Sequence, residues 1–118
     1  MAKTYENLEI WKQAIELSGT IYLATKNFPR EEAYGLSLQL RRAVVSISAN
    51  IAEGAGRDSK KEFVRFVNIA IGSLNEVESL LWVAREIKYL NDPDLQKLRV
   101  KIDKLGGLLG GFKKYLNK

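Results

Sequence analysis

The stretch "AVVSISANIAEGAGR", residues 43–57, places small polar side chains among aliphatic ones inside a helical pattern. At about 100° per residue, residues 36–53 form two apolar stripes on nearly opposite sides of one helix. The expected core stripe consists of Leu36, Leu40, Ala43, Val44, Ile47 and Ile51. The second stripe consists of Leu38, Val45, Ala49 and Ala52. Ser46 and Asn50 lie on one flank between the stripes, and Arg41 and Ser48 lie on the other.

The second stripe needs a partner, because a helix of a single four-helix bundle buries one stripe only. Another copy of the chain is the simplest partner, so Leu38, Val45, Ala49 and Ala52 are predicted to form a subunit interface. The alternative is that they are scattered surface aliphatics, since most protein surface is apolar. The third helix favours the interface, because it is apolar over much of its circumference.

Over the whole chain, hydrophobic periodicity predicts four amphipathic helices, at about 7–27, 31–53, 60–89 and 93–116. The first carries apolar side chains at helical spacing: Leu8, Trp11, Ile15, Ile21 and Tyr22. The turns between the helices are short. One domain over residues 1–118 is therefore expected, an all-α, antiparallel up-down-up-down four-helix bundle.

Local signals mark the ends of these helices. Pro29 is expected to open the second helix, and glycines 54 and 56 to close it in left-handed conformations. "SKKE", residues 59–62, has the form of a capping box at the start of the third helix. Asp92 is expected to cap the fourth helix, with Pro93 as its first residue.

The amino-acid composition excludes several classes of function. The chain has 118 residues, 46% of them hydrophobic and 28% charged, as in a soluble globular domain. It has no cysteine and no histidine, which excludes thiolate metal sites, cysteine nucleophiles and histidine acid–base chemistry. We therefore expect a protein that is not an enzyme and has no cofactor or metal. The start of the sequence has no apolar signal segment, and a cytoplasmic location without membrane contact is expected.

The net charge of +5 is unevenly distributed. Residues 97–118 hold seven basic side chains and one acidic one, whereas the other 96 residues hold 12 basic and 13 acidic ones. Lys97, Lys101 and Lys104 line up on one flank of the fourth helix. Such a row is usually a solvated face, and weak, salt-sensitive attraction to nucleic acid is its second interpretation.

"KLGGLLGGFKK", residues 104–114, places four glycines within a helical pattern. Gly106, Gly107, Gly110 and Gly111 all lie away from the core stripe of this helix. They predict either a smooth groove that admits another backbone or a phosphate, or a helix end that is frayed or kinked.

A resemblance is carried by "FP..E.YGL..QLRRA", "SI.ANIAEG.GR" and "EF.RF..IA.GSL.E.E", together with the early Trp11. In this order they resemble the four-helix bundle proteins encoded in intervening sequences of bacterial 23S rRNA genes. The resemblance implies a left-handed up-down bundle that assembles into a homopentameric ring. The family is also similar to the accessory variability determinant of diversity-generating retroelements, a basic pentamer that binds nucleic acid and a reverse transcriptase.

Two function hypotheses follow. In the first, the homo-oligomer binds RNA or DNA, with a patch around the turn between helices two and three and the row on helix four as contacts. These candidate contacts are Arg57, Lys60, Lys61, Arg65, Lys97, Lys101 and Lys104. In the second, the chain is a protein-interaction or assembly adaptor, such as an accessory subunit of a nucleic-acid enzyme, without direct contact to nucleic acid.

Overall fold

The computed structural model describes residues 3–118. Four α-helices follow one another: α1 (Glu9–Thr25), α2 (Leu36–Ala55), α3 (Lys60–Glu86) and α4 (Asp92–Leu116). Short 3₁₀ turns at Thr4–Asn7 and Arg30–Glu32 precede α1 and α2. Between residues 3 and 118 the chain forms no strand, which confirms the all-α prediction.

The core is built where the four helices meet. Each helix packs against the next one along the chain, and α4 packs back against α1. All six residues of the predicted core stripe on α2 are buried. The Phe63 and Phe112 rings lie 5.2 Å apart, and Arg85 pairs with Asp92, contacts expected of antiparallel neighbours. These contacts are those of a four-helix bundle, whose up-down order and left-handed twist stay predictions.

The start of α2 differs from the prediction. Pro29 opens a 3₁₀ turn instead of the helix, and the Gly35 backbone lies outside the helical region (φ −113°, ψ −117°). One carboxylate oxygen of Glu32 accepts a hydrogen bond from the Leu36 amide at 2.8 Å. The other lies 3.4 Å from the Tyr89 hydroxyl that donates to it. Glu32 therefore caps α2, which begins at Leu36, five residues after the predicted start at residue 31.

The glycines after the "ANIAE" sequence act differently from the prediction. No glycine between residues 3 and 118 has a positive φ, and α2 continues to Ala55. A Cβ atom on Gly54 would lie 2.8 Å from both the Phe63 ring and the Phe66 Cβ. Gly54 is thus required for the close approach of α2 to α3, not for a left-handed helix end.

The remaining helix ends follow capping chemistry. The Ser59 hydroxyl accepts a hydrogen bond from the Glu62 amide at 3.1 Å, which confirms the predicted cap of α3. Asn91, rather than Asp92, caps α4 by accepting from the Asp94 amide at 2.8 Å. α3 ends at Glu86, before the predicted residue 89, because Lys88 adopts a left-handed conformation with φ 67°. α1 is two residues shorter than predicted at each end.

The polar residues of α2 join it to α3. The hydroxyls of Ser46 and Ser73 are 2.9 Å apart, and the Asn50 amide donates to the Ser46 carbonyl at 2.8 Å and to its hydroxyl at 2.9 Å. Ser46 and Asn50 are half-buried, so these bonds satisfy polar groups at the α2–α3 contact. Small side chains at this flank therefore serve helix packing.

The glycine pairs of α4 do not interrupt it, so the expectation of a frayed end is wrong. A Cβ atom on Gly107 or Gly111 would meet nothing within 4 Å. Alanine should therefore fit both positions without strain.

We predict that Gly107→Ala and Gly111→Ala each raise the free energy of unfolding by about 0.5–1 kcal/mol, because alanine favours a helix. Urea unfolding followed by circular dichroism measures this change. Loss of stability in either variant would show that this part of α4 needs glycine within the folded chain.

Candidate assembly and nucleic-acid surfaces

The predicted interface stripe lies on the outer side of α2. Val45 is 43% exposed and Ala49 is exposed, whereas Leu38 and Ala52 are half-buried. None of the four belongs to the buried core. The stripe therefore remains accessible to a partner.

α1 extends this apolar surface. Ile15 and Tyr22 are 44% and 43% exposed, although their spacing with Ile21 suggests a core face in the sequence. Tyr22 lines a shallow depression together with Leu38 and Val45. We call the surface formed by Ile15, Tyr22, Leu38, Val45 and Ala49 the α1/α2 apolar face.

Arg41 fixes the position of Tyr22 within this face. Its guanidinium carbon lies 4.7 Å from the centre of the Tyr22 ring, and its Nε donates to the Thr25 hydroxyl at 3.0 Å. A guanidinium at this distance stabilises the ring by a cation–π contact. The aromatic side chain is thus held in place before any partner binds.

The predicted contacts Arg57 and Arg65 are engaged within the chain. Arg57 pairs with Glu53 at 2.6 Å, and Arg65 pairs with Glu62 at 3.2 Å. Both guanidinium groups also lie over the Phe66 ring, at 4.9 and 4.8 Å. They thereby support the turn between α2 and α3, and their charge is partly compensated.

The predicted lysine contacts have a different environment. Lys60 and Lys61 are exposed at the start of α3. The row on α4, formed by Lys97, Lys101 and Lys104, is also exposed. Every ion pair between residues 3 and 118 uses an arginine as its cation. Positive charge that can attract an anionic partner is therefore carried by these lysines and also by Arg30 and Arg42, which are exposed and pair with no acidic side chain among residues 3–118.

The structure does not bring the seven predicted contacts together. The Phe63–Phe112 contact places the start of α3 beside the last turns of α4, close to Lys113 and Lys114 in the chain. Lys97 and Lys101 instead line a depression with Leu23, at the other end of α4. The bundle is 43 Å long, so two separate cationic regions result.

Lys113 and Lys114 were not among the predicted contacts. They follow Phe112, and the packing of this ring against Phe63 places them at the same end of the bundle as Lys60 and Lys61. The sequence signal that pointed to them was the excess of basic residues after residue 97.

The described residues contain no group of three or more acidic, histidine or cysteine side chains arranged for a metal ion. None of the helices between residues 3 and 118 combines the length and apolar character that crossing a membrane requires.

Comparison with known proteins identifies relatives. The model of the 23S rRNA-intervening sequence protein family matches residues 6–111. A crystal structure of a protein with unknown function, from the S23 ribosomal protein family of Bacteroides thetaiotaomicron, superposes with a TM-score of 0.79. It is 24% identical, and the match covers 89% of this chain and 98% of that chain. No curated protein matches the chain significantly.

Proposed function

Because the chain belongs to the 23S rRNA-intervening sequence protein family, we propose that it forms a homo-oligomer, a pentamer as the sequence resemblance implies, that binds RNA or DNA without catalysing a reaction. The proposal assigns binding to lysine side chains and assembly to the α1/α2 apolar face. The absence of histidine and cysteine from the sequence favours a binding protein over an enzyme.

One observation carries the nucleic-acid part of the proposal: Lys97, Lys101 and Lys104 lie exposed along one side of α4 without an ion pair to residues 3–118. Lysines that neutralise phosphates release the counterions condensed on the nucleic acid, which makes the attraction favourable and salt-sensitive. Lysine binds phosphate as a point charge and carries no base specificity by itself. The expected binding is therefore weakly sequence-specific.

Assembly strengthens this attraction. A single row of three lysines gives modest affinity, whereas several copies on one ring present their rows to the same nucleic acid chain. The α1/α2 apolar face supports such assembly, because Ile15, Tyr22 and Val45 are each more than 40% exposed. Contiguous exposed apolar side chains of this size are typical of protein–protein contacts.

We predict that the wild-type protein shifts a structured RNA in a gel at about 50 mM salt and much less at about 200 mM, and that Lys97→Gln, Lys101→Gln and Lys104→Gln together weaken the shift by about tenfold or more. The logarithmic salt dependence should fall by about one unit for each lysine that contacts a phosphate. The matched control is the variant Lys3→Gln, Lys12→Gln and Lys26→Gln, which removes the same charge from other exposed positions.

Equal losses in the two triple variants would mean that net charge, and not the row on α4, determines binding. Absence of a shift at 50 mM salt would remove the nucleic-acid part of the proposal, while leaving assembly to be judged by mass.

A further inference from the structure

The contact between α1 and α4 is open at one end of the bundle. A groove of about 490 Å³ lies there, lined on the α1 side by Thr20, Leu23 and Ala24 and on the α4 side by Lys97, Leu98 and Lys101. We call it the α1/α4 groove. It lies on the other side of α1 from Tyr22, which belongs to the α1/α2 apolar face.

The groove has an apolar floor. Leu98 is buried at its base, Ala24 is half-buried, and Leu23 is 67% exposed at the edge. A leucine exposed to this extent buries little apolar surface when the chain folds. Covering it with a partner contributes about 25 cal/mol of favourable free energy for each Å² removed from water. The floor therefore suits aliphatic side chains of a partner.

The α4 edge of the groove is cationic. Lys97 and Lys101 lie one helical turn apart, with Lys104 continuing the row, and all three are exposed. Asp94, the one acidic side chain that lines the groove, lies at the end next to Asn91. Charge complementarity thus calls for carboxylates on the partner along the α4 side.

A second apolar depression continues the same α1–α4 contact at the far end. It is lined by Leu8, Leu108 and Phe112, with Gly107 and Gly111 on the α4 side. The two depressions are separated by the length of α1, roughly 25 Å at 1.5 Å per residue. Because Gly107 and Gly111 have no side chain in the way, a backbone can approach α4 closely there.

From this geometry we propose that the α1/α4 groove docks an amphipathic helix of a partner protein, with leucine-like side chains on the floor and acidic side chains facing Lys97 and Lys101. This goes beyond nucleic-acid binding and gives the protein a second, proteinaceous ligand. Helices that dock in grooves present apolar anchors at i, i+3 or i+4 and i+7, a span of about 10 Å, which matches the stretch from Thr20 to Asn27 on the α1 side of the groove.

Other ligands fit the groove less well. Nucleic acid would bring phosphates to the lysines but would leave the apolar floor of Leu23, Ala24 and Leu98 uncovered. Small molecules bind where most of their surface becomes buried, and a groove whose Leu23 is 67% exposed is too open for that. A helix covers the groove and brings its own apolar surface to it.

The probe is a synthetic helical peptide of about 18 residues with leucines spaced i, i+4, i+7 and i+11 and a glutamate after each leucine. One control peptide has lysine for each glutamate, and another has glutamine for each leucine. Fluorescence anisotropy at near-physiological salt measures affinity, and amide shifts in NMR spectra locate the site. We expect the acidic peptide to bind at least about tenfold more tightly than both controls, with shifts at Thr20, Ala24 and Leu98.

Lys97 and Lys101 belong both to this groove and to the lysine row proposed to bind nucleic acid, so variants at other positions distinguish the two ligands. Leu23→Ser should weaken the acidic peptide about tenfold and leave the RNA gel shift unchanged, whereas Lys60→Gln with Lys61→Gln should leave peptide binding unchanged.

The proposal is overturned if the acidic peptide fails to bind, if Leu23→Ser binds it as tightly as the wild type, or if the amide shifts lie outside α1 and α4. A lower mass of Leu23→Ser in light scattering would assign the groove to a second copy of the chain, which also overturns it. Failure of RNA binding with intact peptide binding would instead affect only the proposed nucleic-acid function.

Discussion

Gly54→Ala is expected to lower the free energy of unfolding by about 1–3 kcal/mol, the usual cost of forcing a methyl group into a packed core. The new Cβ would lie 2.8 Å from the Phe66 Cβ, an atom that moves only if the backbone of α3 moves. Phe66 is itself held between Arg57 and Arg65. The contact between α2 and α3, the most extensive in the bundle, must therefore open.

The matched control is Gly72→Ala, in the middle of α3. Nothing lies within 4 Å of a Cβ atom at Gly72, so this variant should gain up to about 1 kcal/mol from the helix preference of alanine. Urea unfolding of both variants gives opposite signs if Gly54 is a close-packing residue. A gain in stability for Gly54→Ala, similar to that of Gly72→Ala, would contradict the proposed role of Gly54.

Val45→Asp together with Ala49→Asp is expected to dissociate the proposed assembly into single chains of 13.3 kDa while the helix content is retained. Both side chains are exposed in the single chain, so the carboxylates are hydrated there and cost little. In the proposed assembly the same carboxylates would be removed from water, at a cost of several kcal/mol each. Light scattering measures the mass, and circular dichroism measures the helix content.

The control for added negative charge is Val100→Asp with Asn68→Asp, two exposed positions outside the α1/α2 apolar face. It should keep the wild-type mass. If this control dissociates as fully as the α2 variant, repulsion between charged chains is the cause. If the α2 variant keeps its mass, the α1/α2 apolar face is not the interface.

Periodicity predicted the inner side of α2 well. Each residue of the predicted core stripe is buried, because within a bundle an apolar stripe on a long helix is shielded from water only when it faces the other helices. The Ser59 cap was equally predictable, since its hydrogen bond to the Glu62 amide spans three residues. Local signals of this kind depend on short stretches of sequence.

Features that depend on distant residues were not predictable. Glu32 caps α2 from four residues before the Leu36 amide, whereas the Tyr89 hydroxyl that contacts its other oxygen is 57 residues away in the chain. Burial, with a further contribution from Glu32, raises the pKa of the Tyr89 hydroxyl above its ordinary value. In the sequence Gly54 is typical of a helix end. Its contact with Phe66, which requires glycine there, is known only once α3 is packed against α2.

The candidate sites divide in the same way. Exposure of Val45 and Ala49 followed from the wheel of α2, whereas Ile15 and Tyr22 were indistinguishable from core residues until α1 was packed. The separation of the basic residues into two regions, and the groove beside Lys97 and Lys101, depend on how α4 lies against α1 and α3.

One experiment addresses the exposed apolar surface most directly: multi-angle light scattering of the wild-type protein at micromolar concentration and moderate salt. If copies cover the face formed by Ile15, Tyr22, Leu38, Val45 and Ala49, the measured mass is a multiple of 13.3 kDa, five chains in the case of a pentamer. A mass of one chain across the concentration range would show that these side chains stay in water, and assembly through them would be wrong.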